Sequence, residues 1–303
     1  MGFRGTAVLV RSQGITVESV DACSGASVRV AAGEVWDDFV GYAVAAGWSG
    51  VEALAGIPGR VGSTPVQNVG AYGQEVADTI AAVRVWDRTL EQVRTLAADD
   101  LRFGYRDSIL KAERGRLVVL DVLFQFRLSD LGAPIRYADL ADQLGVSLGE
   151  RVPLAQAREA VLSQRRSRGM VLDEGDHDTW SCGSFFTNPL VPERDWPQVQ
   201  ERIAARLGAE VLGGMPRWPA ASVAGDPLVK LSAAWLIERA GFGKGHGLPG
   251  PAALSTRHTL AVTNRGGATA AQLVALAREV RDGVMDAFGV TLVNEPVLVG
   301  LSL

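Results

Sequence analysis

A chain of 303 residues, 47% hydrophobic and 21% charged, is long enough to bury a sizeable core and has room for two domains. A formal net charge of -4 gives no reason to expect nucleic acid or an anionic membrane as partner. The two cysteines (Cys23, Cys182) and three scattered histidines (His177, His246, His258) exclude a disulfide framework and a thiolate cluster and suggest no metal site. Two free thiols suit a reducing compartment. No apolar run reaches membrane-spanning length and no basic-then-apolar signal opens the chain, so a soluble, cytoplasmic protein is expected.

Met1 to Thr6 leads straight into strand-like Ala7 to Arg11, so the chain reads as if cut mid-strand. Ile15 to Val20 and Ser27 to Ala31 alternate as two further strands. Gly33 to Gly47 is predicted helical, with Val35, Trp36, Phe39, Val40 and Val44 on one face and Gly47 as its stop. Strands follow at Ile80 to Trp86, Gln92 to Leu96 and Arg116 to Leu128, which makes this part α+β rather than alternating βαβ. Ser129 to Gly149, with four Gly or Pro residues, is the candidate connection between a domain at 1–129 and a second at 150–303. Helices are predicted over Leu154 to Arg168 (ending in Arg165, Arg166 and Arg168), Trp196 to Leu207, Leu228 to Ala240 and Ala268 to Phe288. Thr259 to Thr263 and Val290 to Val299 read as strands.

Four stretches could carry chemistry. Gly56 to Glu75 is rich in Gly and Pro and has no charge between Arg60 and Glu75. Its glycines open backbone conformations closed to other residues and let amides approach a ligand, while Ser63, Thr64, Gln67 and Asn68 add donors and acceptors. A pair of tight turns between strands would leave the same composition. In Tyr105-Arg106-Asp107-Ser108 the arginine could clamp a carboxylate, although the residues alone favour an Arg106–Asp107 surface turn. Ser181 to Pro189 should be a turn walled off from water by Phe185 and Phe186. Its Ser184 does not fit a nucleophile elbow, but it could donate a proton to carbon. Glu295 lies in an apolar stretch, which would raise its pKa and suit acid–base or electrostatic work; a solvent-facing strand edge beside Pro296 is the alternative.

In order, Gly-Ile-Pro-Gly-x-Val-Gly-Ser-x-Pro-x-Gln-Asn-Val-Gly-Ala-Tyr-Gly-Gln-Glu (56–75), Phe-Gly-Tyr-Arg-Asp-Ser (103–108), Gly-Ser-Phe-Phe-x-Asn-Pro (183–189) and Glu295 resemble the UDP-N-acetylenolpyruvoylglucosamine reductase (MurB) family. Lys230 to Glu238 and Ser255 to Asn264 add to a resemblance that covers essentially the whole chain. It implies an α+β fold: an FAD-binding domain of the type shared with vanillyl-alcohol oxidase, then an α+β C-terminal substrate-binding domain whose last strand carries Glu295. It implies FAD and NADPH as cofactors, UDP-N-acetylglucosamine enolpyruvate as substrate, and a monomer at work in bacterial peptidoglycan synthesis. Catalysis would fall to Ser184 as proton donor, with Arg106 and Glu295 stabilising the enolic intermediate. FAD would contact Gly56, Ile57, Pro58, Gly59, Val61, Gly62, Ser63, Thr64, Asn68, Gly70, Ala71, Tyr72 and Gly73. Substrate would contact Tyr137, Arg168, Asn188 and Lys230. Arg168 stands where the family often has lysine, and the two cations are not interchangeable as donors.

Family members carry a further N-terminal segment with a Gly-Gly-Gly-Ser-Asn-type loop, so the resemblance implies that the first subdomain of the flavin cradle is missing. A flavin-free UDP-sugar-binding module, or an inactive fragment, is the alternative that follows.

Overall fold

The computed structural model describes residues 5–222 and 225–303. Most of the Met1–Thr6 motif lies outside them. The chain divides into two compact units, Ala7–Arg166 and a second that holds Ser167–Leu303.

In the first unit, β1 (Ile15–Asp21) and β2 (Gly25–Ala31) precede α1 (Trp36–Ala45) and the two-residue β3 (Trp48–Ser49). The glycine-rich stretch contributes a small ladder, β4 (Gly70–Ala71) with β5 (Gln74–Glu75). Then come β6 (Ile80–Asp87), β7 (Gln92–Ala97), the short α2 (Ile109–Ala112) and the twelve-residue β8 (Leu117–Leu128). The sheet is antiparallel in the order β1-β2-β8-β6-β7, with β3 also paired to β8. Its buried face is set by alternation. Ala26, Val28 and Val30 of β2 and Val122, Phe124 and Phe126 of β8 all point inward. Trp36, Phe39, Val40 and Ala43 of α1 pack on that face, with Phe39 at 5.1 Å from the Phe124 ring and Trp48 stacked on Phe126. Each large apolar side chain buried there contributes about 1.5–3 kcal/mol. Gly47, at φ +74, ends the segment as the sequence predicts.

Residues 7–11 form no strand. Val8 is 83% exposed and Leu9 66%. The chain is tied to the sheet from Ser12 and Gly14, whose Oγ and carbonyl accept from Gly33 and Ala31. A short apolar run marks a segment able to pair, and pairing needs a neighbour.

The connection expected over 129–149 carries α3 (Ala138–Leu144) and packs with the first unit, as does α4 (Leu154–Ser167). Ile135, Leu140, Val152, Leu154, Ala157, Val161 and Leu162 are all buried there. Arg165, read as part of a basic cluster, lies on the inner face of α4. Burial pushes its guanidinium pKa down, with Tyr72 and Asp37 pulling the other way.

The second unit holds β9 (Ser181–Ser184), β10 (Leu190–Pro192), α5 (Trp196–Leu207), α6 (Ala209–Gly213), β11 (Arg217–Ala221), β12 (Pro227–Leu231), α7 (Ala233–Arg239), β13 (Ala252–Leu254), β14 (Ala261–Asn264) and α8 (Ala270–Phe288). Its two antiparallel sheets run β10-β12-β11 and β13-β14-β9. α8 starts on a reciprocal Thr269–Gln272 capping box and ends at Gly289 in the left-handed region. Its Leu276, Ala277, Val280, Val284 and Phe288 enter a core with Ile203, Leu236 and Ile237.

Three expectations are corrected in this unit. Leu228–Leu231 is the central strand of a sheet rather than the start of a helix, and Ser232 opens α7 by accepting from the Trp235 N–H. Residues 290–299 make no regular strand, so Glu295 does not sit on one. The segment forms one bridge, Asn294 to Phe186, and Asn294 Nδ2 turns back to the Pro296 carbonyl. Proline lacks the N–H that would continue a ladder. Ser184, expected in an enclosed turn, ends strand β9 and is half-buried.

Candidate functional site

The residues singled out fall on both units. In the first, the glycine-rich loop is held by its own backbone. Gly56 N–H donates to Asp37 Oδ1 at 2.7 Å, and Arg158 pairs with the other Asp37 oxygen at 3.0 Å. Trp36 N–H reaches the Gly59 carbonyl, while Val61 and Gly62 N–H donate to Glu34 and Ala32 carbonyls. A Cβ on Gly62 would sit 2.5 Å from that of Ala32, so only glycine permits this approach. The N–H groups of Gly56, Val61, Gly62 and Ser63 therefore build the loop, and they are not waiting for a phosphate. What the loop presents outward is a crest of Pro58, Gly59 and Ser63, with Gly59 at φ +124 and Ser63 Oγ donating to the Arg60 carbonyl. A bare backbone ridge without charge fits the flat, largely neutral ring system of a flavin.

Further along, Thr64 is buried with its hydroxyl on the Val61 carbonyl. Asn68 is 2% exposed and sits at φ +45. Its Nδ2 donates to Glu75 and to the Gly104 carbonyl, and its Oδ1 accepts from Ala77 N–H. Asn68 thus joins the loop to the Phe103–Ser108 stretch, and Ser108 Oγ repeats the join by donating to the Val66 carbonyl at 2.6 Å. Between these ties lies Arg106, itself at φ +55. Its guanidinium donates to the Asn68 and Gly70 carbonyls, lies 3.9 Å from Glu75 and stands 5.2 Å from the Tyr105 ring centre. Tyr72 meets Tyr137 edge to face at 5.7 Å.

In the second unit, Ser184 pairs with Ala261 at the end of β9, after Gly183 at φ +80. The chain continues extended. Phe185 N–H donates to the Leu260 carbonyl, and Glu295 N–H donates to the Phe185 carbonyl at 2.8 Å. Phe186 and Phe185 are buried edge to face. This lateral pairing brings Ser184 and Glu295 to neighbouring positions. Asn188 Oδ1 accepts from Ala233 N–H at 3.0 Å, and the Pro189 carbonyl accepts from Leu231 N–H, which places Asn188 beside the Lys230 strand. Lys230 faces Trp218 across the ladder, its Nζ 5.6 Å from the ring centre. Arg168 is half-buried just past α4.

Asp178, which the sequence reading did not single out, organises the approach to β9. Burial opposes its charge, but the Thr256 hydroxyl and N–H and the Arg265 guanidinium hold its carboxyl below the ordinary range. Glu52 and Asp37 were also missed, and a carboxylate set inside an apolar run was the available signal for Glu52. Among the described residues no group of three or more His, Cys, Asp or Glu could hold a metal ion, and no helix is long and apolar enough to cross a membrane.

Residues 175–299 match the C-terminal domain of UDP-N-acetylenolpyruvoylglucosamine reductase, and residues 2–96 match an FAD binding domain. The chain is 56% identical to the UDP-N-acetylenolpyruvoylglucosamine reductase of Thermobifida fusca over 100% of its length and 82% of that protein. It is 54% identical to the Streptomyces coelicolor protein of that name (100% and 76%) and 51% identical to that of Mycobacterium tuberculosis (98% and 78%). The MurB crystal structure from Thermus caldophilus shares the fold at a TM-score of 0.54 and 22% identity, covering 91% of this chain and 73% of that one. An FAD-binding domain followed by a MurB C-terminal domain, in a chain half-identical to these reductases along its length, means that the protein belongs to the UDP-N-acetylenolpyruvoylglucosamine reductase family.

Proposed function

We propose that this chain reduces UDP-N-acetylglucosamine enolpyruvate to UDP-N-acetylmuramate, with FAD as redox cofactor and NADPH as electron source, in peptidoglycan synthesis. The flavin, when bound, supplies hydride for the vinyl carbon C3, and the chain orients the substrate and handles its charge and proton. The loop of Gly56 to Gly73 receives the flavin. Ser184 gives its hydroxyl proton to C2. Arg106 stabilises the charge that develops on the enolic carboxylate, held in advance by the Asn68 and Gly70 carbonyls so that little reorganisation accompanies reaction. Glu295, as the carboxylic acid, donates to the same charge. Asn188, Lys230, Arg168 and Tyr137 bind the UDP-sugar, with Lys230 and Arg168 suited to its diphosphate. The reading includes a cytoplasmic monomer without nucleic-acid or membrane partners and, through the cell wall, a part in cell shape, division and the cell cycle.

The observation that supports it best is the pairing of the segments bearing Ser184 and Glu295, with Glu295 N–H on the Phe185 carbonyl at 2.8 Å. The test separates the two half-reactions of the FAD-loaded protein by stopped-flow absorbance. Ser184→Ala should leave flavin reduction by NADPH nearly intact and slow reoxidation by substrate by about 10²–10⁴-fold. Equal loss of both halves would remove Ser184 from the proton-donor role.

A further inference from the structure

Glu52 is 1% exposed, in the apolar run Val51–Ala55 that precedes the glycine-rich loop. A carboxylate so placed needs every lone pair engaged. It accepts three N–H bonds: Gly50 on Oε2 at 2.7 Å, and Gln74 Nε2 at 2.8 Å with Ala133 N–H at 2.6 Å on Oε1. Gln74 in turn accepts from Ala53 N–H at 2.7 Å. One oxygen therefore bonds both the end of the glycine-rich loop and the segment that carries Tyr137.

The seam around that oxygen is fitted to it. A Cβ on Gly132 would lie 2.9 Å from Glu52 Oε1, and one on Gly73, at φ +85, would lie 2.9 Å from Arg136 Cδ. Two glycines thus let loop and segment close on each other. Elsewhere the segment is tied to residues 150–153, with Gly132 N–H on the Val152 carbonyl and Ile135 N–H on that of Glu150. Next to the seam Tyr72 and Tyr137 meet edge to face, Tyr72 adjoining Gly73 and Tyr137 adjoining Arg136. A cavity of about 810 Å³ opens beside it, lined in part by Gly50, Gly73, Gln74, Ala133 and Arg136.

We propose that Glu52 is a positioning residue: it sets the distance between the glycine-rich loop and the 131–137 segment and thereby holds Tyr72 and Tyr137 together as one substrate-facing pair. The substrate-facing part rests on the reading of Tyr137 given above. In Glu52→Gln the shape is kept, but one oxygen becomes an NH₂ group. Turned one way, that NH₂ faces the Gln74 and Ala133 donors; turned the other, it faces Gly50 N–H and leaves those two donors an uncharged and weaker acceptor, so the seam loosens in either orientation.

The chain has four tyrosines, Tyr42, Tyr72, Tyr105 and Tyr137. With 3-fluorotyrosine incorporated, fluorine NMR of wild type and Glu52→Gln, assigned by single Tyr→Phe changes, reads the pair directly. The Tyr72 and Tyr137 resonances should move together while Tyr42, packed on Trp48, stays. If both keep their wild-type positions in a folded Glu52→Gln chain, the proposal is overturned. Should that variant not fold, Gly132→Ala pushes on the same carboxylate and is read the same way.

Steady-state kinetics of the FAD-loaded protein separates this proposal from the reading beneath it. Tyr137→Ala and Glu52→Gln should each raise KM for the UDP-sugar about tenfold with kcat little changed, and the double variant should add little more. An unchanged KM in Tyr137→Ala would end the substrate role of Tyr137 while coupled NMR shifts still uphold Glu52. A KM effect of Tyr137→Ala without shifts in Glu52→Gln would do the reverse.

Discussion

The guanidinium of Arg106 donates to the carbonyl of Gly70, and a Cβ at position 70 would lie 2.8 Å from Arg106 Nη1. A side chain at position 70 is excluded by the guanidinium as well as by Glu75 and Gln74. Gly70→Ala should displace the guanidinium, and the same Cβ would press on Glu75 Cγ and the Gln74 carbonyl at 2.8 and 2.9 Å. If Arg106 stabilises charge in the transition state, kcat should fall at least about tenfold, the equivalent of ~1.4 kcal/mol. Because Gly70 lies in the loop that receives the flavin, flavin content is measured by visible absorbance on the same preparations and kcat is taken per bound flavin. Unchanged kcat with Arg106 displaced would remove it from that role.

Much of this arrangement was legible in the sequence because it is local. The α5 helix was readable over its full Trp196–Leu207 span from period and from Gly208 beyond it. The glycine-rich loop, Arg106 and Ser184 stood out as contiguous motifs. What could not be read was which distant segment completes each one. Leu228–Leu231 is a short apolar run that helix and strand patterns describe equally, and flanking strands on both sides decide it. Ala7–Arg11 reads like a strand but lacks a ladder in the structure. Arg165 read as one of a basic cluster, and that reading does not show that it lies on the face of α4 that turns inward. Glu52 and Ala133 are far apart in the chain, and no local signal joins them.

Asp87 links this fold to pH. Fully buried at the end of β6, it accepts from Arg116 through Nε and Nη2, from Arg94, and from the Thr89 and Leu90 N–H groups. The Arg116 bonds lead in holding its carboxyl well below the ordinary carboxylate range against the opposing effect of burial, and Asp87 in turn raises Arg116. A depressed folded-state pKa contributes stability that is present above the unfolded value and is lost as pH falls through the folded one. Wild type should therefore lose melting temperature on acidification below about pH 4, where the unfolded chain takes up the proton first. Asp178, lowered in the second unit, acts in the same direction. Asp87→Asn should melt lower at neutral pH and show a smaller acid loss. Thermal melts of both chains from neutral to acid pH decide this, and a difference that does not vary with pH would refute the linkage.

The start of α7 gives a substitution pair in which fold and function separate. Two side chains cap this seven-residue helix: Ser232 Oγ accepts from Trp235 N–H at 3.3 Å and Asn188 Oδ1 from Ala233 N–H at 3.0 Å. The first helical N–H groups have no partner within the helix, so each cap satisfies a donor that would otherwise be orphaned. Asn188→Ala removes one acceptor and should cost about 1 kcal/mol of stability, as Ser232→Ala should. Asn188→Asp keeps an acceptor at the helix N-terminus, where a negative charge is favourable, and should melt close to wild type. If Asn188 also meets the diphosphate-bearing substrate, that same negative charge should raise KM about tenfold or more by like-charge repulsion, with little change in flavin reduction by NADPH. Melting curves and KM measured on the same preparations give the answer. A stable Asn188→Asp protein with wild-type KM would make Asn188 an anchor of α7 and remove it from the substrate contacts.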